Sequence, residues 1–334
     1  MRIATYNVEW FNALFDDDGE LIYDGSWSSR WNVTKAVQIE ALAKVFTAMN
    51  ADAVMIIEAP DTSPTRNART ALATFARTFD LRTKEVLTGF ANDTQQEIAL
   101  LYDPYRLQAH HDPKASPAGP RFDTSFHLDV DTDAKPDRVV WSKPPLEVAV
   151  TTPHSPLRLI GVHAKSKAPH GARNPAEATR ISIENRRKQL AQCVWLRHRV
   201  SQHLDAGEDL IVLGDFNDGP GLDEYEKLFG RSGVEIVLGE GDQKRMYDPH
   251  AHLALSRKLG AMPTTARFQH RNGAFLQVLL DYIMVSPQLR QRSPEWQIWH
   301  PFDHPGCYGD EDLRQALLDA SDHFPVILDI DLAN

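Results

Sequence analysis

One stretch limits the folds open to this chain more than any other, the run L-I-V-L-G-D-F-N from Leu210 to Asn217. Four consecutive apolar residues read as a strand buried in a sheet, and the run stops at Gly214 with a carboxylate and then an amide close behind. Charged side chains at the end of a buried strand are costly unless they are paired or hold a metal. Asp215 and Asn217 stand two apart, so on an extended chain they point the same way. A strong oxygen base beside a neutral amide suits holding a water next to a hard cation.

The same pattern recurs. Strands are expected at Ile3–Trp10, Ala53–Ile57, Ile98–Tyr102, Leu157–His163, Leu276–Val285 and Val326–Ile330. Helical spacing of apolar residues marks Lys35–Met49, after a cap at Asn32 or Thr34, then Ala68–Phe79 and a long helix from Ala176 to Leu204. Between His110 and Pro145, Pro, Asp and Ser are frequent and alternating pieces such as Phe126–Val130 predict strands joined by irregular loops. Lys165–Pro175 reads as a polar loop, and a loop and short helix follow the 210s through Gly230. No repeat or low-complexity linker interrupts the chain. Strands alternating with helices predict an α/β sandwich built as one domain over residues 1–334. The strand ends carry Asn7, Glu58, His163, Asp215, Asn217, Asp281, Asp322 and His323, and strand ends of α/β folds commonly build the site.

Composition narrows the partners. The 334 residues are 42% hydrophobic and 25% charged, as in an ordinary globular protein, with net charge -10. A tight, non-specific grip on duplex nucleic acid calls for a basic surface, so the acidic balance argues against it. Two cysteines, Cys193 and Cys307, exclude a disulfide framework, and Cys193 falls in a helical pattern as a small core residue. No apolar run approaches the length of a membrane span, and strand-like residues begin at Ile3 with no leader before them. A cytoplasmic, reducing location is the expectation.

Six ordered segments carry a resemblance: I-A-T-Y-N-V-E-W, V-M-I-I-E-A-P, L-I-G-V-H-A-K-S-K, I-V-L-G-D-F-N-D, L-L-D-Y-I-M-V-S-P and S-D-H-F-P-V. In these the chain resembles the endonuclease/exonuclease/phosphatase superfamily, which includes apurinic endonucleases, deoxyribonucleases, neutral sphingomyelinases and inositol polyphosphate 5-phosphatases. The resemblance implies a four-layer α/β/β/α sandwich with two mixed β-sheets packed face to face. It also implies Mg2+ or Mn2+ held by Glu58, with Asn7 and Asp322 as co-ligands. The catalytic group would be His163, Asp215, Asn217, Asp281 and His323. Asp281 would fix the tautomer of His323 and favour its charged form, Asn217 would orient the nucleophile, and His163 would donate to phosphate. Asp215 and His323 both remain open as general base. Lys165, Lys167 and Arg173 are candidate phosphate grips, and either Gln96 or Glu97, on opposite strand faces, would support His163.

Some features depart from the family or fall outside it. Ile57 stands where many members carry Gln before the glutamate, and Pro60 stands where some nucleases carry a substrate-contacting polar residue. Arg180, Arg186 and Arg187 read as a surface face of the long helix. Asp16–Asp18 reads as a solvated loop, and His110, His111, His250, His252, His300 and His304 lack zinc spacing. Trp10, Phe11, Trp27 and Trp31 flank the rim; packing is the favoured use and base stacking the alternative. The expected function is metal-dependent phosphoester hydrolysis by in-line attack of water, on nucleic acid or a nucleotide-like substrate. The alternatives are a small-molecule or lipid-headgroup phosphoester, and a catalytically inactive binding member. Substrate choice is expected to lie in Trp27–Trp31, His110–Pro145 and Lys165–Pro175.

Overall fold

A computed structural model describes residues 1–128, 137–220, 229–241, 244–256, 262–269 and 273–333. Val130 and most of the segment expected as loop and short helix before Gly230 lie outside the described residues.

Fifteen strands are described, and two sheets hold most of them. The strands are β1 (Arg2–Asn7), β2 (Ala53–Ala59), β3 (Glu85–Thr88), β4 (Glu97–Tyr102), β5 (Gln108–His111), β6 (Phe126–Leu128), β7 (Asp137–Val139) and β8 (Leu146–Thr151). They continue with β9 (Pro156–His163), β10 (Leu210–Asp215), β11 (Ala266–Gln269), β12 (Phe275–Val278), β13 (Asp281–Val285), β14 (Glu295–Ile298) and β15 (Val326–Asp329). The first sheet has the order β14-β15-β1-β2-β4-β3 and the second β13-β10-β9-β8-β5. Both are mixed: β1 runs parallel to β2 and antiparallel to β15, while β10 runs parallel to β9 and antiparallel to β13.

Alternation along each strand explains the four layers. Ile3, Met55, Ile57 and Leu100 face Leu159, Ile211, Leu213 and Ile283 of the other sheet, forming the core between the sheets. Their neighbours Ala4, Tyr6, Val54 and Ile56 turn outward against α1 (Lys35–Met49), α2 (Ala68–Thr78) and the helix Glu311–Ala320. Ile160, Val162, Leu210 and Val212 turn the opposite way, against α3 (Pro175–Asp205) and the helices Gly233–Leu238 and Pro249–Leu255. The central strands β2 and β10 therefore bury both faces, which is why each carries a run of consecutive apolar residues.

Local chemistry sets the element ends. The Thr34 hydroxyl accepts from the Val37 amide to open α1, and Asn50 closes it in the left-handed region. Asn174 caps α3 by accepting from the Glu177 amide, with Pro175 in the first helical turn. The expected strand Ile3–Trp10 stops at Asn7, because Trp10 turns left-handed and a short 3-10 helix, Phe11–Leu14, follows. The expected strand Leu276–Val285 is two strands. The amides of Leu280 and Asp281 both donate to the Thr265 hydroxyl at 3.0 Å, so the chain leaves its hairpin with β11 before β13 joins β10. No described helix is long and apolar enough to cross a membrane.

Candidate active site

Strand directions bring one set of ends to one rim. β1, β2, β9 and β10 finish there, and the antiparallel β13 and β15 begin there. Asn7, Glu58, His163, Asp215, Asp281, Asp322 and His323 are thereby gathered from both sheets. Ser321 clamps the last two to β1: its hydroxyl donates to the Asn7 carbonyl at 2.8 Å and accepts from the amides of Glu9 and His323 at 3.1 and 3.2 Å.

His323 and Asp281 form the best-defined pair, with Nδ1 and Oδ2 2.7 Å apart and both side chains buried. Burial alone would strip the imidazole of its proton. The charge and hydrogen bond of Asp281, with Asp215 and Asp322 behind it, win and hold His323 protonated well above the usual histidine range. Asp215 is fixed on three sides. Its Oδ2 accepts from the side-chain amides of Asn7 and Asn217, each at 3.0 Å, and its Oδ1 from the Asn217 backbone at 2.7 Å. Burial, reinforced by Asp281, raises the Asp215 carboxyl above the ordinary carboxylate range. Asn217 adopts φ 49° to close this ring and spends its second amide hydrogen on the Ala164 carbonyl at 3.1 Å.

Glu58 reaches the rim through a backbone irregularity. It has φ 63°, and the pairing of β2 with β4 shifts register between Ile57 and Ala59. A non-glycine residue held in this region costs roughly 1–3 kcal/mol and persists where surrounding structure fixes it. The Gln96 side chain donates to Glu58 Oε2 at 2.6 Å. Burial first, and then the neighbouring Asp322, raise the Glu58 carboxyl. Asp322 is raised too, by burial above all, against the pull of His323 and Arg30.

His163 is buried, with Nε2 3.2 Å from Lys143 Nζ and 3.7 Å from Asp215 Oδ2. Burial and the Lys143 charge hold it neutral, well below the usual range. Its Nδ1 has no hydrogen-bond partner. The expected support from Gln96 or Glu97 is therefore absent: Gln96 is committed to Glu58, and Glu97 accepts from Asn92 and Thr62.

Other expectations are corrected in the same way. Lys167 donates to buried Asp218 at 2.7 Å, and exposed Arg173 pairs with Glu177 at the start of α3. Of the three candidates, Lys165 is the one whose charge acts on His163. Arg186 is no surface residue. It is fully buried, its Nη1 2.5 Å from Asp218 Oδ1, and Gln189 one turn on donates to the Phe216 and Asn217 carbonyls. Together they tie the loop after β10 to α3. Among the rim aromatics Phe11 is buried, but Trp10, Trp27 and Trp31 are exposed.

Two site residues went unnoticed in the sequence. Lys143 lies in the irregular region before β8, and Glu9 lies just past the end of β1. Glu9 bonds Arg30 at 2.5 Å, and burial followed by the Asp322 charge raises its carboxyl. Its position two residues after Asn7 was the available signal; Lys143 had only the S-K-P-P turn.

The donors at the rim fit a hard cation. Asn7, Glu9, Glu58 and Asp322 offer oxygen ligands, burial raises the three carboxyls, and the Asn7 side-chain Oδ1 is buried without a partner. Among the described residues, the one cluster of acids and histidines with ligand atoms within 4.8 Å of one another is Asp215, Asp281 and His323. In this cluster the Asp281 hydrogen bond occupies His323 Nδ1.

A profile of the Endonuclease/Exonuclease/phosphatase family matches residues 4–323. No curated protein sequence matches. Among solved structures, truncated TDP2 of Caenorhabditis elegans aligns over 98% of this chain and 96% of its own, at 13% identity and TM-score 0.51. The 3' phosphatase NExo from Neisseria, bound to a product DNA hairpin, aligns over 99% of both chains at 16% identity and TM-score 0.51. An AP endonuclease from Archaeoglobus fulgidus aligns over 99% of both chains at 14% identity and TM-score 0.51. At these identities the structural likeness speaks for the shared fold.

Proposed function

The chain belongs to the endonuclease/exonuclease/phosphatase family, and on that premise we propose that it is a divalent-metal-dependent phosphoesterase of the nuclease type, hydrolysing a phosphodiester by in-line attack of water. The observation that carries this reading is the convergence of the 2.7 Å His323–Asp281 pair with Asp215, Asn7 and Glu58 on one rim.

Glu58, Asn7 and Asp322, with Glu9 beside them, would hold Mg2+ or Mn2+. The ion would supply positive charge to a phosphoryl oxygen and to the leaving group. The chain's own residues divide the remaining work. His323 has Nδ1 committed to Asp281 and stays protonated, so it donates to a phosphoryl oxygen as charge develops. That leaves Asp215, oriented by Asn7 and Asn217, to take the proton of the attacking water. Lys143 and Lys165 supply cationic charge beside neutral His163, whose Nε2 accepts from Lys143 Nζ at 3.2 Å. Arg186 and Gln189 act at one remove, holding the Asn217 turn.

A phosphoester on a small molecule or lipid headgroup is the second reading, favoured by the net charge of -10 and by Pro60. The deciding assay is hydrolysis of a chromogenic phosphodiester with Mg2+ or Mn2+, with and without EDTA. A panel of single-stranded DNA, duplex DNA, RNA, a phosphomonoester and a headgroup diester follows. Glu58→Gln, Asp215→Asn and His323→Ala are each expected to lower kcat/KM by about 100-fold or more while the protein stays folded. Full activity in His323→Ala overturns the mechanism. No hydrolysis of any substrate overturns the enzyme reading in favour of an inactive binding member.

A further inference from the structure

A cleft of about 720 Å³ opens beside the rim. The loop Arg30–Val33 forms one wall, β11 and β12 form the other, and Glu9, Ser321 and Asp322 line its inner end. It is thus continuous with the phosphate-handling residues. We propose that this cleft receives the unpaired base of a nucleotide whose phosphate is the one attacked, with Trp31 as the stacking face and Arg267 as the contact to the neighbouring phosphate or base edge. The proposal rests on the phosphodiesterase reading and names the substrate class it takes.

Three observations carry it. Trp31 lines the cleft and is 81% exposed, an indole left in water within a site of ordinary ligand size. Arg267 makes no side-chain hydrogen bond and no ion pair among the described residues, in a chain where acids outnumber bases by 46 to 36. Its guanidinium lies 3.3 Å from the centroid of the Phe275 ring and 5.4 Å from that of Phe302. That stacking fixes the plane of the fork and leaves its N–H groups for an acceptor.

Arg267 is also anchored to the chemistry. Its backbone amide donates to the Asp322 carbonyl at 2.7 Å, so the free cation stands beside a candidate metal ligand. Phe268, the next residue, packs edge-on against His323 at 5.6 Å.

A flat face, an unspent cation and a phosphate site in one cleft match the parts of a nucleotide. A base inside a duplex has both faces covered and cannot enter, so the occupant is a single-stranded end or a free nucleotide ester.

The test compares methyl p-nitrophenyl phosphate with the 5′- and 3′-(p-nitrophenyl phosphate) esters of thymidine. At least one thymidine ester should exceed the methyl ester about tenfold or more in kcat/KM, as one base stack allows. Trp31→Ala and Arg267→Met should bring that ratio close to 1, and Trp31→Phe should keep most of it. A second readout needs no turnover. Thymidine monophosphate or a short oligothymidylate should quench tryptophan fluorescence, the quench should vanish in Trp31→Phe, and a paired duplex of the same length should compete poorly. Tighter binding of the oligomer than of the monomer identifies a strand as the source; equal binding identifies a free nucleotide.

A wild-type ratio near 1, a ratio unmoved in both variants, or preference for a headgroup diester overturns the proposal. If no ester is hydrolysed, the phosphodiesterase reading falls while the fluorescence titration still decides the cleft.

Discussion

Replacing Gly214 by alanine tests how the site depends on its backbone. Gly214 sits in the central strand β10 opposite Val162 of β9, one residue before Asp215, with φ 136°. An ideal Cβ there would lie 2.1 Å from the Val162 carbonyl oxygen and 2.9 Å from its nitrogen, both backbone atoms. Restoring even 3.0 Å to the oxygen requires the two strands to part by about 0.9 Å. Overpacking of this kind costs about 1–3 kcal/mol. The positive φ adds roughly 1–3 kcal/mol of strain, so a total of about 2–6 kcal/mol is expected. Gly161 provides the control, one residue before Val162. Its Cβ would meet Met55 Sδ at 2.5 Å and Ile98 Cγ2 at 2.9 Å, both side-chain atoms in the core between the sheets. A thioether can move aside, so Gly161→Ala should cost about 1–2 kcal/mol at the low end of overpacking. Urea unfolding midpoints at constant m-value measure the difference. Parting β9 from β10 also separates His163 from Asp215, and a misplacement near 1 Å can cost about 100-fold in rate. Turnover of Gly214→Ala should fall accordingly, measured on protein shown to be folded. A Gly214→Ala protein no less stable than Gly161→Ala, or one with full turnover, refutes the reasoning.

Three further outcomes follow from the geometry. Arg186→Met leaves fully buried Asp218 with Lys167 and the Gly233 amide and should cost about 3–5 kcal/mol in urea unfolding; a loss below about 1 kcal/mol shows that the buried pair contributes little. Burial holds His250 down to about 4 in the folded chain, so the unfolded chain takes the proton first. Its contribution is complete above about pH 6.5 and is lost as pH falls toward 4, amounting to about 2 kcal/mol between pH 6.5 and 5. His250→Leu should therefore lose less stability over that interval than the parent protein, and parallel pH profiles would refute it. Finally, Mg2+ at 100 times its dissociation constant should stabilise the protein by about 2.7 kcal/mol. That should appear as a rise in Tm which Glu58→Gln abolishes, and equal rises in both proteins would place the cation elsewhere.

What could be read in advance followed from burial and capping. Helix α1 falls on its expected residues because Thr34 and Asn50 bound it chemically. The strands β2, β9 and β10 are legible because covered faces demand unbroken apolar runs. The half-exposed edge strands β3, β5 and β14 lack that signature and were passed over. Long-range contacts were the other blind spot. No helical pattern shows that Asp218 will fold over Arg186, and none shows Gln96 turning from His163 to Glu58. Lys143 reaches His163 from an irregular segment, where spacing carries no information.

The place of β15 has a consequence for the making of the protein. It lies between β14 and β1 in the first sheet, and the turn before it brings Asp322 and His323 to the rim. A nascent chain can therefore lay down Asn7, Glu58, His163, Asp215 and Asp281 and still lack its imidazolium. β1 is flanked by β15, a strand more than 300 residues further along the chain. The rim is complete only when residues 314 positions apart, Asn7 and Ser321, have met.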